Sequence, residues 1–324
     1  MPELCVIPGD GIGKEVVPAA VAILEAVIPD LDMVFAEAGW ECFLTCGSAV
    51  PESTLETIQS CGAALFGAVS SPSHAVRGYR SAILVIRQSL DLYANVRPVR
   101  SWPKISPRSG VDMIIVRENS EGLYVGRERL EGGTAVTERV ITRKASFRIG
   151  NKALNLGITQ QRQKVTIVHK ANVLTFSDGL FRDAVRDAIS DELAVDELLV
   201  DAAAYRLMGQ PESFDVVVTT NLYGDILSDA AAHWGGGLGM APSLNWGDQI
   251  AVAEPVHGSA PDIAGKGVAN PIAAILSGAL LARYVWGNTT AADRIENAVA
   301  QALDCGAGQL NSTKGITDSI LALI

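Results

Sequence analysis

Residues 5–20 read CVIPGDGIGKEVVPAA. An apolar run ends at Gly9, Gly11 and Gly13, and apolar residues then recur at helical spacing through residue 28. A strand, a tight glycine turn and a helix are predicted. Such a turn is where a helix N-terminus can meet the pyrophosphate of a dinucleotide. The Rossmann fingerprint, however, is G-x-G-x-x-G, and the third glycine here falls one residue early. Nor does an acidic residue clearly close a second strand, since Asp30 and Asp32 precede it and Glu37 is a weak candidate. The glycines suggest a nucleotide; where it would bind stays open at this point.

The same alternation continues outward. DMVFAEA (32–38), GAALFGAV (62–69), VDMIIVRE (111–118), KVTIVHK (164–170) and FDVVVTTN (214–221) are predicted strands. PESTLETIQS (51–60) and SAILVIRQSLDLY (81–93) are predicted helices. Strand–helix alternation argues an α/β fold with a largely parallel sheet. Residues 123–142, LYVGRERLEGGTAVTERVIT, differ: two alternating stretches flank Gly132-Gly133, a hairpin signal. A hairpin so polar on both faces would protrude, and pairing with a second copy would cover its edges.

Composition bounds the function. The 324 residues are 48% hydrophobic and 19% charged, enough for a packed core. A net charge of -10 repels nucleic acid but leaves room for a local basic pocket that attracts a small anion. No apolar run approaches the roughly 18 residues of a membrane span. The N-terminus enters a strand directly, with no signal-peptide layout. Five cysteines without a CxxC pair suit a reducing cytoplasm.

Four segments carry candidate chemistry. In NLYGDILSDAAAHW (221–234), Asp225 and Asp229 are four apart on a helix predicted to begin near Asp225. Two carboxylates so placed suit a divalent cation such as Mg²⁺ or Mn²⁺; a helix-capping Asp225 with a solvated Asp229 would serve equally. Lys170 ends the strand KVTIVHK, where α/β folds place ligands, and can act as a base or lie on the surface. Arg87, Arg97 and Arg117 end buried elements, and either internal carboxylates or an anionic substrate would satisfy them. Tyr124 could donate a proton. Residues 251–274, AVAEPVHGSAPDIAGKGVANPIAA, read as an irregular loop giving way to a helix at Pro271. Its amides could surround an adenosine, or the loop could be purely structural. Asp262 would accept from ribose hydroxyls and repel a 2′-phosphate.

In order along the chain, PGDGIGKEV, LDLYANVRP, VRENSEGLYVG, HKANVL, NLYGDILSD and HGSAPDIAGKGVANP resemble the decarboxylating β-hydroxyacid dehydrogenases: the isocitrate, 3-isopropylmalate and homoisocitrate enzymes. The resemblance covers nearly the whole chain. GAVSSP, GLYVGRE, HKANVLTFSDGLFR and VDAAAYRLM look most like the homoisocitrate enzymes of lysine biosynthesis through α-aminoadipate. The resemblance implies an isopropylmalate-dehydrogenase-like, non-Rossmann fold of two α/β domains sharing a central sheet. Residues 1–94 plus 236–324 would bind the cofactor. Residues 95–235 would bind substrate and metal and dimerise, with an arm near 123–142. Arg87, Arg97 and Arg117 would hold substrate carboxylates, with Ser71 and Asn172 assisting. Asp225 and Asp229 would bind Mg²⁺ or Mn²⁺ with Asp201. Lys170 and Asp201 would come from a neighbouring subunit, so a homodimer or tetramer with shared sites is implied, in the cytoplasm. Ile12, Val69, Ser70, Ser71, Asn172, His257, Gly258, Ser259, Ala260, Asp262 and Asn270 would hold NAD⁺.

The implied reaction is oxidation at C2 with Lys170, through water or Asp201, removing the hydroxyl proton. Loss of CO₂ follows, with the metal as Lewis acid, and Tyr124 protonates the enol carbon. Substrate choice would rest on HAVRGYRSAILVIR (74–87). Ile83 lacks the amide typical of isocitrate enzymes, whereas Leu84 leaves an isopropylmalate pocket open. Arg77, Tyr79, Arg80 or Ser81 would meet the distal carboxylate of homoisocitrate. A non-catalytic regulatory subunit is disfavoured, because Lys170, Tyr124, Asp201, Asp225 and Asp229 are all present. The chain departs from its relatives at GQLNSTKG (308–315), and at Trp234 and Trp246 around a glycine-rich stretch, where smaller residues are expected.

Overall fold

The computed structural model describes residues 1–74, 76–189, 192–307 and 311–324. Ala75, in the segment preceding Arg87, and the first three residues of GQLNSTKG lie outside the described residues. The chain divides into two compact units. Residues 1–92, 101–109 and 235–324 form the first, and 93–100 with 110–234 form the second.

The first unit opens with β1 (Glu3–Gly9), α1 (Gly13–Val27), β2 (Asp32–Phe35), α2 (Trp40–Cys46), α3 (Glu52–Cys61), β3 (Ala63–Ala68) and α4 (Ala82–Ser89). In α1, Val16, Val17, Ala20, Ile23 and Leu24 are all buried. They recur at three- and four-residue spacing, so one stripe of the helix faces the sheet. β3 is buried at every position, as a strand covered on both faces must be. Cys5, Ile7, Ile58, Phe66, Ile86 and Val252 form the core of this unit.

The second unit runs through β4 (Ala94–Arg100), β5 (Asp112–Glu118), β6 (Glu128–Glu131), β7 (Thr134–Thr137), α5 (Arg143–Thr159), β8 (Lys164–His169), α6 (Ser177–Ile189), β9 (Ala194–Leu199), α7 (Val200–Gly209), β10 (Val216–Thr219) and α8 (Asn221–Ala232). Its strand order is β4-β5-β10-β8-β9, parallel except where β4 meets β5. The parallel strands therefore end together, which brings Arg117, Thr220, Lys170 and Asp201 to one edge of their sheet. β6 and β7 pair as the expected exposed hairpin, with Gly132 and Gly133 both at positive φ. One expectation is corrected here. α8 starts at Asn221, behind Thr220 in an extended N-cap conformation, so Asp225 lies in its second turn and cannot cap it.

The chain then returns to the first unit through β11 (Pro242–Trp246), β12 (Ala251–Pro255), α9 (Ile272–Leu280), α10 (Thr289–Asp304) and α11 (Thr313–Leu321). There β2-β1-β3-β12-β11 is the strand order, with only β11 antiparallel to its neighbour. AVAEP, expected as loop, is the buried strand β12; Glu254 and Pro255 masked an otherwise short apolar run. β1, β3 and β12 also end together, which sets residues 9–12, 69–71 and 256–260 beside one another. The two unexpected tryptophans are accommodated. Trp234 donates its Nε1–H to the Leu207 carbonyl at 2.9 Å, and Trp246 packs on Tyr284 at 5.6 Å between ring centres. Among the described residues, no helix is long and apolar enough to cross a membrane.

Candidate active site

The most charged part of the second unit is built around a buried cation. Arg117, on β5, is only 1% exposed. A guanidinium that deep needs several oxygen partners, because it cannot shed its charge. Asn221 Oδ1 accepts from its Nε at 3.0 Å and from its Nη2 at 2.7 Å, and Nη1 pairs with Asp225. Close approach is possible because residue 224 is glycine: a Cβ there would lie 2.6 Å from Arg117 Cγ. Arg97, on β4, adds a second cation. Its Nη1 donates to Ser228 Oγ and to Asp229 Oδ1, each at 2.7 Å, and its Nη2 lies 3.6 Å from Asp225. Asn95 Oδ1 accepts from its Nε at 2.7 Å, fixing the fork.

Tyr124, in a short turn after β5, donates its hydroxyl to Asp225 Oδ2 at 2.8 Å, with the Arg117 guanidinium 5.2 Å from its ring centre. Burial pushes its phenol upward, and the hydrogen bond to Asp225 adds to the effect. The phenol therefore keeps its proton at neutral pH and remains a donor. Two arginines and two aspartates balance in charge, while Asp229 keeps its side chain 53% exposed. Hard carboxylate oxygens four residues apart, one of them still open to ligand, fit a divalent cation such as Mg²⁺ or Mn²⁺.

Lys170 and Asp201 form a separate pair in the same unit. Lys170 leaves the end of β8, and Asp201 lies in the first turn of α7; their side chains are directly bonded. That bond draws the Asp201 carboxyl below the usual aspartate range. Asp201 thus pairs with lysine, and among the described residues no three His, Cys, Asp or Glu side chains of one chain gather as a metal-ligating group. Asn172 is exposed beyond Lys170.

In the first unit, the opening glycine turn is occupied by protein. Gly11, at φ +54, has Ser259 so near that a Cβ would lie 2.2 Å from its carbonyl oxygen. Asp10 N–H donates to Ala68 O at 2.8 Å and Ile12 N–H to Ser259 O at 2.9 Å. These two amides are spent inside the fold, so the turn does not cradle a pyrophosphate through them. What the turn does is hold the loop after β12. Ser259 Oγ and Ser70 Oγ are 2.8 Å apart, and Ile12, Ser70 and Ser259 form one group. Asp10, buried, accepts from the N–H groups of Ser70, Trp40 and Glu41. Val69 packs into the core, whereas Ser71, Gly258 and Asp262 are exposed. His257 has its Nδ1 3.0 Å from the Gly258 carbonyl oxygen and a buried Nε2 without a partner; burial lowers its basicity. Ala260 adopts a left-handed φ of 39°. Asn270 Oδ1 accepts the N–H of Ile272, the first residue of α9, at 3.0 Å.

Arg87, on α4, pairs with Glu254 at 2.8 Å, and Asn245 donates to the same oxygen at 2.8 Å. Its buried Nε has no hydrogen-bond partner, so one donor of this paired guanidinium stays free. Of the residues before it, Tyr79 donates to the Ser70 carbonyl at 3.0 Å and Arg80 bonds Gln88. Ser81 occupies the N-cap of α4 without bonding through its side chain, and Arg77 is exposed. Sequence reasoning missed Asp10, Asn221 and Glu254. Only the GDG of the opening motif and the NLYGD stretch offered a signal for the first two.

The isocitrate/isopropylmalate dehydrogenase family model matches residues 3–318. The isocitrate/homoisocitrate dehydrogenase of Thermus thermophilus is 54% identical over 94% of this chain and 91% of its own length. A 3-isopropylmalate/3-methylmalate dehydrogenase of Methanocaldococcus jannaschii is 47% identical over 94% and 92%. Among solved structures, isocitrate dehydrogenase from Methylococcus capsulatus superposes with a TM-score of 0.94 at 39% identity, covering 100% of this chain and 99% of its own.

Proposed function

The chain belongs to the isocitrate/isopropylmalate dehydrogenase family, and on that premise we propose that it converts homoisocitrate to 2-oxoadipate and CO₂ with NAD⁺, in lysine biosynthesis through α-aminoadipate. The observation that carries this reading is the Arg97–Arg117–Tyr124–Asp225–Asp229 cluster. It combines two fixed guanidinium forks, a protonated phenol and two carboxylates, the parts a polycarboxylate oxidation needs. Asp225 and Asp229, with Asp201 of a second copy, would hold Mg²⁺ or Mn²⁺. The bound cation supplies Lewis acidity, and bound NAD⁺ accepts hydride.

The chain's own groups do the rest. Arg97 and Arg117 bind carboxylates through preset forks, so little entropy is lost on binding. Lys170, through water or Asp201, takes the C2 hydroxyl proton. Tyr124 delivers its phenolic proton to carbon after CO₂ departs, and its upward-shifted phenol holds that proton until then. Asp262, exposed on its loop, would meet the ribose and disfavour a 2′-phosphate. Lys170 and Asp201 would serve the neighbouring subunit of a dimer or larger assembly, clasped by the β6–β7 hairpin.

Oxidation of 3-isopropylmalate is the second reading, favoured by the apolar Leu84 and by the 47% identical relative. NADH formation with homoisocitrate, isocitrate and 3-isopropylmalate decides between them. Homoisocitrate is expected to give the highest kcat/KM, activity is expected to vanish with a chelator and return with Mg²⁺ or Mn²⁺, and NADP⁺ is expected to be used poorly. A higher kcat/KM for 3-isopropylmalate would overturn the substrate assignment.

A further inference from the structure

Lys170 is held from behind by a residue to which the sequence assigned no role. Asp178, in the first turn of α6, is fully buried. Its Oδ2 accepts the Lys170 backbone N–H at 2.7 Å. Its Oδ1 takes an ion pair from Arg139, which lies between β7 and α5, and a longer contact from Ser177 Oγ at 3.4 Å. Arg139 Nη2 donates in turn to Thr220 Oγ1 at 3.1 Å, and its guanidinium lies 5.3 Å from the ring centre of Tyr223. Thr220 is the N-cap of α8, the helix of Asp225 and Asp229. One carboxylate therefore joins the end of β8, the start of α6, the segment leaving the hairpin and the start of α8.

Stability is a poor reason for such a pair. Two charges lose their hydration on burial, and an apolar pair of the same volume commonly serves the fold as well. What the arrangement achieves is geometric, because it fixes the backbone from which the Lys170 side chain departs. We propose that Asp178 is a positioning residue that sets where Lys170 Nζ lies. The proposal rests on the reading of Lys170 as the base.

Two variants test it. Asp178→Asn keeps the volume and one acceptor but leaves Arg139 without its counter-charge. The double variant Asp178→Asn/Arg139→Gln removes both charges together and so guards against misfolding. Among folded variants, kcat is expected to fall about ten- to a hundredfold, as for a misplaced catalytic group. KM for NAD⁺ and for the carboxylate substrate should stay within about twofold, since the arginine forks are untouched. The isotope effect on kcat with C2-deuterated substrate should rise, because chemistry becomes more rate-limiting; a smaller active fraction would not raise it. A turnover-independent readout is acylation of Lys170 by an N-hydroxysuccinimide ester, followed by peptide mass spectrometry. Its rate relative to exposed Lys144 should change severalfold. An unchanged isotope effect and kcat beside an active wild type would overturn the positioning role alone, as would an unchanged relative acylation rate. A wild type that turns over none of the three substrates would instead count against the functional reading.

Discussion

Two groups of charges in the same unit use the same chemistry and stand in opposite states. Around Asp225, the Arg97 and Arg117 side chains are 8% and 1% exposed, and each arginine has several partners. At the other group, Lys170 is 25% exposed and Asp201 65%, with one bond between the side chains. The first arrangement is over-determined: removing either aspartate leaves a buried guanidinium short of its counter-charge. The second is a largely exposed ion pair, of a kind that contributes little to the fold because water and salt screen it. A second copy covering this pair would desolvate it and strengthen its field.

Breaking the buried group should have the largest effect. Arg117→Lys keeps the charge but loses the fork to Asn221 Oδ1, and it leaves space beside Gly224. A loss of about 3–5 kcal/mol in stability is expected, as for breaking a buried pair. Substrate KM should rise sharply in whatever material folds; thermal unfolding and steady-state kinetics measure the two. Lys170→Met should invert the pattern. Its thermal unfolding should stay close to that of wild type, because a screened, exposed pair contributes little, while kcat falls about 10²–10⁴-fold for loss of a proton-transfer group. If both variants lose stability equally, the contrast between the groups is wrong. The contrast sharpens with mixing. Lys170→Met and Tyr124→Phe chains, each inactive alone, should regain activity when co-refolded if a site takes Lys170 from its neighbour. Absence of any recovery would argue that each chain uses its own lysine.

The parts legible in the sequence were those encoded locally. Asp225 and Asp229 announce themselves by four-residue spacing, Gly132-Gly133 by turn chemistry, and the valine run of β10 by its apolarity. The roles of Asn221 and Asp178 were hidden for a physical reason. Their partners, Arg117 and Arg139, lie 104 and 39 residues away, and neither periodicity nor propensity reports such hydrogen bonds. β12 was missed because its Glu254 is buried against Arg87, an ion pair that makes a strand look like a loop. The opening glycines misled in a different way. Their spacing suggested a phosphate, whereas Gly11 gives way to the Ser259 carbonyl and Asp10 ties the turn to the start of α2.

Smaller effects probe the edges of the comparison. Glu121 is buried beside Arg117's network, and its backbone carbonyl accepts from Asn221 at 2.9 Å. Burial raises its carboxyl to about 7, against which two hydrogen bonds from Thr142 work. A carboxyl raised on folding favours the native state below its unfolded value of about 4.5, and that contribution is lost as pH rises through about 7. Glu121→Gln should therefore gain stability relative to wild type between pH 5 and 8, by at most about 3 kcal/mol, as read from urea unfolding at each pH. A gap that shrinks as pH rises would reverse the sign and refute burial as the dominant influence. Smallest of all is the response at Asp201, whose carboxyl sits low because Lys170 bonds it. Carbonyl-carbon NMR should find it titrating below an ordinary aspartate in wild type and returning upward in Lys170→Met. Added salt should move it in the same direction, because an exposed pair is screened. If salt leaves it unmoved, the pair is less open to solvent than its exposed aspartate implies, and the distinction between the two charge groups narrows.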